Sequence, residues 1–178
     1  DICVTNPQII YTLTAYANGN SRGLYKSIDG GVNWNLINAS VAGSSNYAWF
    51  NRICKVNPTD AGNVICGGLN MERSVNGGTS FSTIGASHVD HHAICFAPSN
   101  TNFVVIGNDG GIDYSTNGGS SWLASTTLPI TQFYAGEIDN TNPNTILGGA
   151  QDNGTNRTTG GFGNWQTIYG GDGFYCLV

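Results

Sequence analysis

The side chains able to do chemistry in this chain of 178 residues are few, and most of them crowd into short polar stretches. His88, Asp90 and His92 alternate within His88-Val-Asp-His-His92. In an extended segment such residues point the same way and could converge on a divalent ion, with Asp109 as a further ligand. Imidazole is also the group most readily poised near neutrality. A carboxylate pair drawn from Asp90, Asp109, Asp152 and Asp172 could supply the acid and base of glycoside hydrolysis. A third reading involves no reaction: His88 to His92 form a hydrogen-bonded knot, with imidazole tied to Asp and to backbone carbonyls. Gln132, Tyr134 and Gln151 join His88 and His92 as candidate ligand contacts. Tyr47, Trp49, Phe50, Phe133, Tyr134 and Phe174 could stack on sugar rings or wedge between structural units. Asp109-Gly-Gly and Asp152-Asn-Gly are turn formers before they are anything else. The ligand set for a transition metal is incomplete and lacks a thiolate pair, so no metal or cofactor is expected to be needed for folding.

What must position these groups is a repeat. Ser27, Asp29, Gly30, Gly31 and Trp34 recur as Ser74, Asn76, Gly77, Gly78 and Phe81, and again as Ser115, Asn117, Gly118, Gly119 and Trp122. A worn copy follows at Thr159 to Trp165. In this turn the Gly-Gly pair admits positive φ, the Asp or Asn bonds backbone amides, and the aromatic packs over the loop. These residues are expected to be structural. A self-similar unit of about 40 to 50 residues built from short β-prone runs predicts an all-β propeller segment of about four four-stranded blades. The blades are expected near 1–46, 47–87, 88–129 and 130–170, with 171–178 opening a fifth. Such a chain reads as a piece of a longer protein, its remaining blades coming from the same or a partner chain. If each turn joins the third strand of a blade to the fourth, the other loops emerge on the opposite rim. That rule gathers His88, Asp90, His92, Asp109, Gln132, Tyr134, Gln151, Asp152 and Asp172 on the rim away from Asp29, Asn76 and Asn117.

Composition narrows the partners. Charged residues make up 10%, the net charge is −5, and the six Lys plus Arg are scattered singly. No basic stripe exists for a phosphate backbone, which disfavours nucleic acid. No apolar run reaches the length needed to span a bilayer. No signal peptide is visible, since Ile2-Cys3-Val4 already reads as a strand. A Lys-poor surface rich in Asn, Gly, Ser and Thr suits a secreted or surface protein. Cys3, Cys54 and Cys95 each precede a proline by three or four residues, placing them at similar points of successive inner strands. They read as small buried hydrophobes, with a Cys54–Cys66 bridge across one hairpin as the alternative.

On its repeated motif the chain resembles the BNR/Asp-box propeller family, which spans sialidases, xyloglucan-type glycoside hydrolases and sortilin-type receptors. More narrowly, His88 to His92, Gly107-Asn-Asp-Gly-Gly111, Ile130 to Tyr134, Gly149 to Thr155 and Gly170-Gly-Asp-Gly173 look like secreted bacterial propellers of the glycosyl-hydrolase-like kind. The sialidase branch fails on its residues: no Arg-Ile-Pro occurs, and Arg52-Ile53 runs on into Cys54. The resemblance implies an extracellular or cell-surface module that binds carbohydrate or another surface polymer. Two alternatives stay open, a glycoside hydrolase using paired Asp and a purely structural repeat in a surface assembly. Shared motifs fix the fold more firmly than the activity.

Overall fold

The computed structural model describes residues 1–41, 48–128, 130–161 and 163–177. They divide into two compact units, 1–125 and 126–178. Every regular element among the described residues is a strand, and the fold is an all-β propeller segment.

The first unit holds three antiparallel sheets. Sheet one is β1 (Ile10–Ala15), β2 (Ser21–Ser27) and β3 (Asn35–Asn38). Sheet two is β4 (Ile53–Asn57), β5 (Asp60–Gly67), β6 (Met71–Ser74) and β7 (Ser82–Ile84). Sheet three is β8 (His91–Ala97), β9 (Asn100–Asn108), β10 (Gly111–Ser115) and β11 (Leu123–Ala124). In each sheet consecutive strands are neighbours, a meander that needs only short loops. Among the described residues sheet one has three strands where four are expected. Its first position is filled only by residues 1–3, through an Ile2–Ile10 bridge and the bonds Tyr11 N to Asp1 O and Cys3 N to Ile9 O.

Apolar residues at alternate strand positions fuse these sheets. Cys3, Tyr11, Leu24, Val56, Val64 and Cys66 form one cluster between sheets one and two. Ile65, Met71, Phe96, Val104 and Ile106 form the next, between sheets two and three. Inside the first cluster the Tyr11 hydroxyl donates to Ala61 O at 2.8 Å. Burial, with nearby thiols and Asp60 adding to it, pushes that phenol up to about 12. The fold holds the neutral form, so this contribution is complete below about pH 10 and disappears as pH rises toward 12. Tyr11→Phe is expected to cost about 1 kcal/mol in urea unfolding at neutral pH and to weaken the alkaline loss of stability.

The repeated turn has the same hydrogen bonds in every clean copy. Ser27, Ser74 and Ser115 Oγ each accept from the backbone N of the second glycine, Gly31, Gly78 and Gly119, at 2.9 Å. The same hydroxyls donate to Asp29, Asn76 and Asn117. Those side chains in turn accept from the backbone N of Asn33, Ser80 and Ser121. The Asn33 amides, backbone first, hold the Asp29 carboxyl down at about 2. Trp34 and Trp122 close their loops by donating Nε1–H to Gly31 O and Gly119 O. The first glycine of each pair donates to a backbone carbonyl of its own sheet: Gly30 to Gln8 just ahead of β1, Gly77 to Gly62 in β5 and Gly118 to Asn102 in β9. In addition, a turn docks on the preceding sheet. Gly77 and Gly78 lie against Tyr11, Leu24, Lys26 and Ile37 of sheet one. Arg73 of sheet two reaches Ser120 at 3.0 Å while bonding Asn63, whose amide meets Gly118 O.

The second unit is one sheet of β12 (Phe133–Ile138), β13 (Ile146–Ala150), β14 (Thr155–Thr158) and β15 (Gln166–Tyr169). Its turn is the worn copy. Thr158 Oγ1 donates to Gly161 O at 2.8 Å, and no Asx follows two residues later to bond the amides. Residues 171–177 carry no strand; they fold back so that Gly173 N donates to Ala150 O.

The cysteines divide in a way the proline spacing misses. Cys3 and Cys66 are buried and Cys54 is half-buried, but Cys95 is exposed. Cys54 stands four residues before Pro58, whereas Cys95 stands three before Pro98. One residue of offset in a strand turns a side chain to the other face, so Phe96 takes the core position in β8.

Candidate functional site

In the first unit the β7–β8 connection meets the β9–β10 turn on the rim away from Asp29, Asn76 and Asn117. His91 pairs with Asn108 in the β8–β9 ladder, and Asp109 N donates to Asp90 O at 3.2 Å. Asp90 adopts φ 57°, the left-handed region rarely entered by a residue other than glycine. Its backbone N donates to Leu69 O at 3.1 Å, and the next N, of His91, donates to Gly68 O at 2.9 Å. These bonds to the neighbouring sheet hold the kink. The kink breaks the strict alternation on which convergence of His88, Asp90 and His92 rested.

The three side chains accordingly take separate partners. His88 packs over Gly110, where a Cβ would come within 2.6 Å of its own Cβ, and its Nδ1 lies 3.0 Å from Val89 O. Asp90 accepts from Asn51 Nδ2 at 3.0 Å. His92 Nε2 meets Asp109 Oδ1 at 2.7 Å on the surface. Asp90 and Asp109 each present a carboxylate oxygen within 4.8 Å of the other. Beside them the Phe50 ring stands edge-on to His92 at 5.4 Å, and Trp49 lies 5.5 Å from Phe50. Trp49 is 70% and Phe50 62% exposed, far more than core aromatics. Tyr47 lies outside the described residues.

Beneath this surface lies a buried polar layer. A register shift between His91 and Ala93 turns His91 inward while His92 faces out. His91 is 1% exposed, and its Nδ1 has no hydrogen-bond partner among the described residues. Burial pushes its imidazole down to about 4, opposed by Asp113 and reinforced by His88 and His92. Asp113, also buried, accepts from Asn108 Nδ2 at 2.7 Å and Ser87 N at 3.2 Å. Asn51 and Asp113 are absent from the residues singled out in sequence, while His91 figures there only within the His88 to His92 knot and Asn108 only within the Gly107 to Gly111 segment. Asp113 had one legible signal: in Gly111-Ile-Asp-Tyr-Ser115 it shares the strand face of Ser115, the inward residue of the turn.

The second unit assembles its own group. Asp152, at φ 55°, has its backbone N donating to Asp172 Oδ1 at 3.2 Å. Gln151 O accepts from Asn153 Nδ2, and the Tyr134 and Phe174 rings stand 4.9 Å apart. Gln132 is exposed just before β12. Phe133, itself exposed, stands 5.3 Å from Trp165.

Antiparallel meander sheets of this kind, joined in sequence and carrying the repeated turn, define a β-propeller segment. Among solved structures, the GH74 enzyme of Niastella koreensis matches with a TM-score of 0.57 at 20% identity, over 94% of this chain and 23% of that one. An ancestral GH74 enzyme matches at 24% identity and a TM-score of 0.48, over 93% of this chain and 24% of that one. YCF48 from Cyanidioschyzon merolae matches at 16% identity and 0.46, over 93% and 54%. The chain thus spans about a quarter of the length of these GH74 enzymes and about half of YCF48. Likeness at this identity speaks to fold. No protein-family profile and no curated protein sequence matches the chain.

Proposed function

We propose that this propeller segment is a carbohydrate-binding module of a secreted or cell-surface protein. Its binding face in the first unit is built from Trp49, Phe50, His92, Asp109 and Asp90. The observation that carries the reading is the adjoining pair of exposed aromatic rings beside hydrogen-bonding carboxylate and imidazole groups. An aromatic face accepts the C–H side of a pyranose ring, while fixed polar groups at its edge select hydroxyls. A neutral polymer also suits a surface with 10% charged residues. The Ser-x-Asx-Gly-Gly turns then serve as scaffold, in the manner of Asp-box propellers, and leave the opposite rim to ligands.

A hydrolytic reading has one observation in its favour, the approach of Asp90 and Asp109. Retaining glycosidases hold their two carboxyl groups about 5–5.5 Å apart. Against it, His92 engages Asp109 and Asn51 engages Asp90, so both carboxylates already serve in the local network. Affinity electrophoresis through gels containing neutral polysaccharides, followed by a reducing-sugar assay of the same mixtures, separates the readings. Retardation without new reducing ends is expected. Reducing ends that vanish in Asp109→Asn would establish hydrolysis, and mobility unchanged in every gel would overturn carbohydrate binding.

A further inference from the structure

The β4–β5 hairpin carries two thiols whose mutual placement packing alone does not require. Cys54 and Cys66 face each other directly across the ladder, and their sulfur atoms stand 3.5 Å apart as free thiols. Directly opposed residues of an antiparallel pair have Cα atoms about 4.5–5.5 Å apart, inside the roughly 4.4–6.8 Å span that a disulfide accepts. The hairpin therefore brings the two sulfurs together without moving its backbone. The other cysteines sit elsewhere, with Cys3 sulfur on Asn57 O and Pro58 O, Cys95 on Phe96 O and Cys176 on Phe174 O.

We propose that Cys54 and Cys66 are a redox modification site that closes to a reversible cross-strand disulfide by exchange with an external small-molecule disulfide. Cys54 is the entry thiol, because it is half-buried and lines a cleft with Arg52, Lys55 and His92, whereas Cys66 is fully enclosed. The Cys54 thiolate, its proton released to water, attacks one sulfur of the external disulfide. That bond breaks, one small thiol leaves, and a mixed disulfide remains on Cys54. Cys66 then loses its proton and attacks the Cys54 sulfur, expelling the second small thiol. Two protein thiols are oxidised, one external disulfide is reduced to two thiols, and no other reductant or oxidant is required. Closure covalently pins the register of β4 against β5, in the hairpin whose first strand follows Asn51 and Arg52 directly.

The test equilibrates the reduced chain in glutathione buffers of increasing oxidised fraction, traps thiols by alkylation and maps peptides by mass spectrometry. A Cys54–Cys66 linked species, lighter than the reduced pair by two hydrogens, should accumulate and vanish again on return to reduced buffer. The bridged form should melt about 5–10 °C higher, as a short loop closed in the unfolded chain predicts. Cys54→Ser, a half-buried substitution chosen to preserve folding, should show neither the linked species nor the shift. A glutathione adduct persisting on Cys54 beside a free Cys66, or a bridge to Cys3, Cys95 or Cys176, would overturn the proposal. So would a pair that stays reduced throughout.

Discussion

Gly78→Ala is expected to destabilise the protein by about 2–4 kcal/mol, although it adds a single methyl group. The residue sits at φ +88°, where any side chain is strained, and an added Cβ would stand 2.5 Å from Ile37 Cδ1 and 2.9 Å from Leu24 Cδ2. Both neighbours belong to the preceding sheet, so the turn must either lift away or push into a cluster that also holds Tyr11 and Leu24. Lifting uncovers the Gly78 N to Ser74 Oγ bond, which is buried. Gly85→Ala is the control, because a Cβ there meets nothing within 4 Å; it should change stability by less than about 1 kcal/mol. Urea unfolding of the two variants reads the difference. Equal stability would mean that the turn does not clamp one sheet to the next.

Acidification is expected to remove about 3 kcal/mol of stability through His91 alone. Its imidazole is depressed in the fold, to about 4 against an ordinary value of 6.5, so the folded state favours the neutral ring. The contribution is complete above pH 6.5 and is lost as pH falls from 6.5 toward 4. Asp113 and Asp109 attract the charged form while His88 and His92 repel it, and burial outweighs all four. His91→Gln keeps a polar side chain of similar reach and should flatten stability between pH 7 and 5. An NMR titration of the wild-type ring gives the same answer without a variant. A midpoint near 6.5 would show that the ring is solvated and that the buried polar layer does not hold it neutral.

How much could be read from sequence follows from where each signal is stored. The turn is local: Ser, Asx, Gly-Gly and aromatic lie within one short window, and their period alone leads to the propeller. The rim on which Asp90 and Asp109 meet follows from antiparallel alternation once that turn is assigned to the third and fourth strands. Three features resist such reading because they depend on register. The inward turn of His91 needs the irregularity between His91 and Ala93. The kink at Asp90 needs Gly68 and Leu69 of the neighbouring sheet as acceptors. The exposure of Cys95 hangs on one residue of offset from Pro98. The pairing of Asn51 with Asp90 joins residues in adjacent sheets, and neither one's neighbours in sequence announce it.

Trp49 and Phe50, as the proposed sugar-binding platform, should carry most of the affinity for a neutral oligosaccharide. Calorimetric titration of an oligosaccharide cut from whichever polysaccharide retards the protein measures it directly, on the wild type and on the Trp49→Ala, Phe50→Ala double variant. Both rings are exposed and outside the two core clusters, so the melting temperatures should agree within a few degrees. Saturable binding by the wild type, weakened about tenfold or more in the double variant, is the predicted result. Undiminished affinity in a double variant that remains folded would contradict it.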